Sequence, residues 1–142
     1  MSDDTDQAMQ QVRQAIDSNV QLAIEYFTAA SGIDFGLNRA SLAWVEDLIE
    51  QQRAVPNWDP EPSVNELVSL VGSFLGACIA VETGGEWQVS GVTGALGVQL
   101  PNGVFVDPFY KAEKAIRQGV DGGESIASFH RVTVDHVAVH GV

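Results

Sequence analysis

The sequence predicts a mixed α+β domain, in which three N-terminal helices precede a three-stranded antiparallel meander and one or two C-terminal helices. Apolar residues recur at helical spacing in the first 83 residues and alternate with polar ones between positions 87 and 106. The 142 residues, 45% of them hydrophobic, suffice for a single domain with one core over the whole chain. The ends, 1–5 and 138–142, are where we expect disorder.

The first two helices have clear signals at their ends. Apolar residues three or four positions apart predict a helix over 5–30, and Gly32 can form its left-handed C-cap. Asn38 is a favourable N-cap for a second helix that runs to about Arg53. The apolar face of this second helix comprises Leu42, Trp44, Val45, Leu48 and Ile49.

A third helix, with Ser63 as its N-cap, is predicted to reach about Glu82 and is apolar on nearly all sides, so we expect it to be buried at the centre of the fold. Its apolar run, 67–81, is about five residues short of the roughly 20 that span a membrane, which favours a core helix. Gly72 and Gly76 lie four apart on one face. Because each glycine lowers helix stability, we expect them to permit the close approach of another backbone.

Strands are predicted at 87–89, 96–100 and 104–106, where apolar and polar residues alternate. Pro-Asn-Gly at 101–103 is typical of a hairpin turn, because Asn and Gly tolerate positive φ. One face of this meander should cover the third helix.

The fourth helix has the clearest boundaries. Asp107 is its predicted N-cap, Pro108 occupies the first helical position, and Gly119 ends it. Residues 124–136 are predicted to form a last helix, although their β-branched residues leave a strand open as the alternative.

Charge is the unusual bulk property: 19 acidic residues against 7 basic ones give a net charge of −12. Such a chain disfavours nucleic acid and anionic membrane surfaces, and it would attract a basic protein partner. The simpler interpretation is that the charge only keeps the protein soluble. The N-terminus lacks the basic and apolar regions of a signal peptide, and the single cysteine, Cys78, cannot form an intramolecular disulfide. We therefore expect a cytoplasmic protein.

Candidate partner-binding residues lie in and after the second helix. Glu46, Asp47 and Glu50 fall on its polar side, where they could meet lysines and arginines of a partner. Trp58 lies in the Pro-rich connector that follows and could serve as an apolar anchor. A tryptophan packed on the core is the alternative for this residue.

The histidines are weak candidates for a metal site. On a helix, His136 and His140 share a face, as zinc ligands do, but only carboxylates could complete the site. We instead expect His130, His136 and His140 to be surface residues near a frayed terminus. The sequence therefore implies no metal and no other cofactor.

Two further sets of residues are candidates for catalysis. Glu82 and Glu86 flank Gly84 and Gly85, and paired carboxylates can act as general acid and base. We favour the interpretation that Glu82 solvates the end of a helix and Glu86 starts an edge strand. Cys78 lies within an apolar run without basic neighbours, which indicates a packed thiol rather than a nucleophile. These patterns favour a protein without catalytic activity.

Four motifs resemble a group of small bacterial domains of unknown function. They are a Gly-spaced apolar helix at 72–79, Gly-Gly-Glu-Trp at 84–87, a short meander strand at 97–100 and Val-Asp-Pro-Phe at 106–109. The resemblance covers about residues 38–135 and implies a fold. It implies no catalytic residues.

The sequence thus predicts a non-enzymatic acidic protein that acts through protein–protein contact. A bacterial immunity-type inhibitor of a basic toxin is its most specific form, by analogy of size and charge. A secretion-chaperone-like protein is the alternative, followed by a hydrolase using Glu82 and Glu86 or a histidine-based metal site. A homo-oligomer and a small-ligand site between sheet and helices both stay open.

Overall fold

The computed structural model describes residues 2–56 and 64–140 and has the predicted α+β architecture. Within these ranges it forms five α-helices and one three-stranded sheet. In chain order they are α1 (Ser2–Ser31), α2 (Arg39–Arg53), α3 (Val64–Thr83), β1 (Glu86–Val89), β2 (Leu96–Gln99), β3 (Phe105–Val106), α4 (Pro108–Gln118) and α5 (Ile126–His140). A short 3-10 turn, Val120–Gly122, links α4 to α5. The helices α1 and α5 extend into 2–5 and 138–140, two segments in which the sequence favours disorder.

The helix α3 is the centre of the fold, as its apolar sequence predicts, and its predicted N-cap, Ser63, lies outside the described residues. It contacts α1, α4, α5 and the sheet, and Phe74 on α3 is fully buried. The rings of Phe27 and Phe35 lie 6.0 and 6.4 Å from the ring of Phe74. Among the described helices, α3 alone is long and apolar enough to cross a membrane, and 56% of its most apolar window is buried inside the fold. This is the burial expected of a core helix.

The two glycines of α3 make room for neighbouring elements. A Cβ at Gly72 would lie 3.0 Å from the Cα of Phe109, so this glycine admits the backbone of α4, as predicted. A Cβ at Gly76 would overlap the indole of Trp87 and lie 2.9 Å from Cγ of Pro108. Gly76 therefore accommodates side chains from β1 and α4 rather than a backbone.

The sheet is an antiparallel meander whose strand order follows the chain. Val98 on β2 is fully buried and pairs with Trp87 on β1 and with Val106 on β3. On the opposite face, the ring of Phe105 covers Gly97, and a Cβ at Gly97 would overlap it. Gly97 is thus the site of close contact in the sheet that glycine in a strand indicates.

Turn and cap signals within the described residues are confirmed. Gly103 has a φ of +91° in the hairpin turn between β2 and β3. The backbone N–H of Tyr110 donates to Oδ1 of Asp107 at 3.0 Å, so Asp107 caps α4, and Pro108 is the first residue of that helix. Gly119 ends α4 with a φ of +73°.

We predict that Gly72→Ala and Gly76→Ala each destabilise the fold. The added methyl group has to displace Phe109 or Trp87, and overpacking of this kind costs about 1–3 kcal/mol. That cost opposes the gain of about 1 kcal/mol that alanine brings to a helix. Urea unfolding followed by circular dichroism measures the difference.

Gly91→Ala is the matched control, because a Cβ at Gly91 meets no atom within 4 Å. Its free energy of unfolding should stay within about 0.5 kcal/mol of the parent protein. Equal stability of all three variants would contradict the close packing of α3.

Candidate functional site

Glu46 has an intramolecular role in the structure. Its Oε1 atom accepts a hydrogen bond from the hydroxyl of Ser125 at 2.6 Å and one from the backbone N–H of Ala127 at 3.4 Å. Both donors lie at the start of α5. A carboxylate at this position satisfies N–H groups that lack a partner within the helix and interacts favourably with the helix dipole. Ser125 is the N-cap of α5, because its hydroxyl accepts a hydrogen bond from the backbone N–H of Ser128 at 3.0 Å, and Glu46 supports this cap from the neighbouring helix α2.

One turn further along α2, a second acidic residue binds the corner between α4 and α5. The backbone N–H of Val120 donates to Oε1 of Glu50 at 2.7 Å. Arg53 lies 3.4 Å from Glu50 and donates to the carbonyl oxygens of Ile116 and Arg117, at 3.1 and 3.4 Å. These carbonyls belong to the last turn of α4, where a cation is favoured. We call Glu46, Glu50 and Arg53 the α2 clamp.

The clamp limits what the polar side of α2 can offer to a partner. The sequence predicts that three acidic residues of α2 bind a protein partner. Asp47 is exposed, whereas Glu46 and Glu50 are half-buried. Trp58, the predicted apolar anchor, lies outside the described residues. On α2 itself, Trp44 is 45% exposed, although its position in the sequence suggests an apolar face. For Glu46 or Glu50 to bind a partner, the carboxylate would have to break its hydrogen bonds with the segments at the ends of α4 and α5.

His130 is fully buried, which corrects the expectation that it lies on the surface. It shares the inner side of α5 with Ile126 and Thr133, and neither ring nitrogen forms a well-aligned hydrogen bond with another described residue. Its Nε2 atom lies 3.4 Å from Oε1 of Glu82, at the end of α3. Burial lowers the pKa of His130 below its usual 6.5, and the nearby charge of Arg39 lowers it further, although Glu82 partly offsets the shift.

The other candidates for catalysis, Glu82, Glu86 and Cys78, lie in different surroundings. Glu82 lies beside His130, whereas Glu86 is exposed at the first position of β1. Cys78 lies one helical turn before Glu82 and is fully buried. Burial, with a smaller effect from the charge of Glu82, raises the pKa of the Cys78 thiol to about 12. The thiol is therefore protonated at neutral pH, in keeping with the packed role predicted for it.

The predicted pair of histidines lies on α5, where positions 136 and 140 are one turn apart. His136 is exposed, and the side chain of His140 is outside the described residues. Among the side chains that the structure describes, no group of three His, Cys, Asp or Glu residues is arranged to hold a metal ion.

An open groove of about 480 Å³ runs between α1 and α3, and sequence analysis missed it. Leu22 and Tyr26, one turn apart on α1, are 53% and 44% exposed beside it. The Tyr26 hydroxyl accepts a hydrogen bond from Nε2 of Gln52 at 3.3 Å, which holds the ring in place. We call this feature the α1–α3 groove. Its lining residues are Asn19, Leu22, Tyr26, Glu66, Ser69 and Leu70.

A second groove, of about 310 Å³, lies where both lysines of the chain are found. The Nζ atoms of Lys111 and Lys114 lie 2.5 and 3.4 Å from the carboxylate of Glu124. The hydrogen bond from Lys111 is the main cause that lowers the pKa of Glu124. Lys114 also lies 4.6 Å from the ring centroid of Tyr110. The two cations thus hold the segment before α5 against α4.

We predict that Glu46→Ala destabilises the protein by about 1–2 kcal/mol, because the hydroxyl of the N-cap residue Ser125 and the backbone N–H of Ala127 lose a charged hydrogen-bond acceptor. Asp47→Ala is the matched control, since Asp47 is the exposed neighbour of Glu46 on the same helix. Its free energy of unfolding should change by less than about 0.5 kcal/mol. Thermal unfolding of both variants gives the comparison, and equal losses would rule out the support that Glu46 gives to the cap.

We predict that acidification destabilises the fold through His130. Because its pKa is lower in the folded chain than in the unfolded one, the unfolded state takes up the proton first as pH falls. The contribution of neutral His130 to the free energy of unfolding is fully present above about pH 6.5. It is lost as the pH falls towards the lower pKa that His130 has in the folded state. Urea midpoints at about pH 7.5, 6.5 and 5.5 measure this loss.

In His130→Gln the fall across this pH range should be smaller, because glutamine does not titrate. Val132→Gln, which replaces an exposed residue of the same helix that does not titrate, should retain the parent profile. Identical profiles for the parent and His130→Gln would contradict the prediction.

Comparison of the chain with protein-family models, with curated proteins and with solved structures gives no match. The resemblance to small bacterial domains of unknown function therefore stays a prediction. The basis for a function has to be found in the surface and the charges of this chain itself.

Proposed function

We propose that this chain is a non-enzymatic protein that binds a basic protein partner through its anionic exterior. The observation that carries the proposal is that most basic side chains already form ion pairs within the chain. Five of the seven basic side chains contact a carboxylate of the same chain: Arg39, Arg53, Lys111, Lys114 and Arg117. A basic partner would therefore meet few competing cations.

Acidic side chains are exposed on several elements. They occur on α1, α2, α3 and β1 and in the turns between elements: Asp17, Glu25, Asp34, Asp47, Glu66, Glu86 and Asp121. With a net charge of −12, this exterior attracts positively charged proteins over distances of about a Debye length and speeds their association. The same charge repels nucleic acid and anionic bilayers.

A bacterial immunity-type inhibitor that neutralises a basic toxin is the most specific form of this function. Its support is the combination of a small packed fold and a strongly acidic exterior. The burial of α3 supports a soluble protein, and we propose the cytoplasm as its location.

The full chain, used as bait in an extract of the source cell, tests the proposal. We expect a basic protein to be retained at low salt and released at high salt, because salt screens attraction between exposed charges. Capture of no specific protein, or of one that salt does not release, would contradict the proposal.

Rate measurements on the purified pair make the test quantitative. Replacing Asp17, Asp34 and Asp47 together by asparagine should slow association several-fold and leave dissociation nearly unchanged, as expected when exposed charges steer the encounter. Val132→Gln, at an exposed apolar position on α5, leaves the net charge unaltered and serves as the control. Association rates equal to those of the parent would show that the anionic exterior does not guide the partner.

A further inference from the structure

We infer that the α1–α3 groove binds an amphipathic helix with an apolar face and basic flanks. The inference rests on the proposed function and names the surface and the kind of partner segment. Two observations carry it, the shape and apolar lining of the groove and the charges along its sides.

The apolar lining comes from both helices. Leu22 and Tyr26 on α1 and Leu70 on α3 line one groove, whereas exposed apolar residues on soluble proteins are more often scattered singly. The space between two packed helices is complementary in shape to the ridge of side chains on a third. Recognition of a helix in a groove uses such anchors, spaced by three, four or seven residues.

The aromatic anchor of the groove is held in place before a partner binds. The rings of Tyr26 and Phe27 form a T-shaped pair with 5.5 Å between their centroids, and the hydroxyl of Tyr26 accepts the hydrogen bond from Gln52. A side chain that is already ordered loses little conformational entropy when a partner covers it. This favours the groove as a binding surface over the scattered exposed valines of the strands and turns.

The charges beside the groove select a basic partner. Glu66 on α3 lines the groove and is exposed, and Glu25 on α1 is exposed three positions after Leu22, on the same side of its helix. Lysine and arginine can cover apolar surface with their methylene groups while the charged ends reach these carboxylates. An acidic helix would place like charges together here.

The same charges disfavour a second copy of this chain as the occupant. In a symmetric pair the groove would face an equally acidic surface, and each chain has a net charge of −12. The occupant that the groove favours is therefore a segment of a different, basic protein.

Binding of synthetic peptides to the full chain, followed by fluorescence anisotropy, tests the inference. The first peptide, of about 18 residues or five helical turns, carries leucine along one face and lysine on the flanks. A second has the same composition in an order without an apolar face, and a third has glutamate in place of lysine. We expect the first to bind at least about tenfold more tightly than either control.

Variants locate the binding. Leu22→Gln should weaken binding of the first peptide about tenfold, and Glu66→Gln should weaken it a few-fold and reduce its dependence on salt. Val132→Gln is the matched control for Leu22→Gln, because Val132 is 60% exposed on α5, away from the groove. Circular dichroism establishes that each variant is folded.

Equal affinities for Leu22→Gln and Val132→Gln would overturn the inference, as would equal binding of the reordered or acidic peptide. Failure of the groove is distinct from failure of the proposed function. If Leu22→Gln captures a salt-sensitive partner as well as the parent chain does, the inference about the groove is wrong, but the proposed function is still supported. If the parent chain captures no such partner, the proposed function itself fails.

Discussion

The close packing of α3 against α4 is the constraint on which the rest of the structure depends. A helix that is apolar on nearly all sides has to be covered in every direction, and α3 meets this requirement with α1, α5, α4 and the sheet. Gly72 and Gly76 leave out the side chains that would hold α4 and Trp87 away. The start of α4 is thereby fixed against the core, and its far end is brought within reach of α2.

The α2 clamp shows how a chain with surplus negative charge uses part of it for stability. Glu46 and Glu50 accept hydrogen bonds from backbone N–H groups near the start of α5 and after α4, and Arg53 donates to the last carbonyls of α4. Glycine is favoured at position 119 because φ is +73° there, a backbone conformation that residues with a Cβ rarely adopt. Three residues of one helix thus fix the relative positions of two others, and the charges farther from helix ends are left for contact with solvent or a partner.

Local signals in the sequence were sufficient to predict most of the fold. Asn38 and Asp107 were identifiable as N-caps because a short polar side chain before an apolar periodic run has few other roles. Both accept the expected hydrogen bonds, from the backbone N–H groups of Ser41 and Tyr110. The glycine spacing of α3 likewise predicted a close approach, since glycine in a buried helix costs stability that packing has to offset.

The functional residues were less predictable, because their roles depend on elements distant in sequence. Periodicity places Glu46 and Glu50 on the polar side of α2, but it does not distinguish a side that faces solvent from one that meets the ends of other helices. His130 is different, since its spacing from Ile126 and Thr133 matches the buried side of α5 and was a usable signal. The α1–α3 groove exists only once the two helices are packed together.

Trp87 makes the central seam of this molecule optically visible. Its indole extends from β1 against Gly76 of α3, with 5.8 Å between its centroid and that of the Phe109 ring on α4, so it lies where the three elements meet. Indole emission depends on the polarity around the ring, and replacing Trp44 and Trp58 by phenylalanine would leave Trp87 as the one indole of the sequence. Water entering between α3 and α4 would therefore change the intrinsic light emission of the chain, without any attached label.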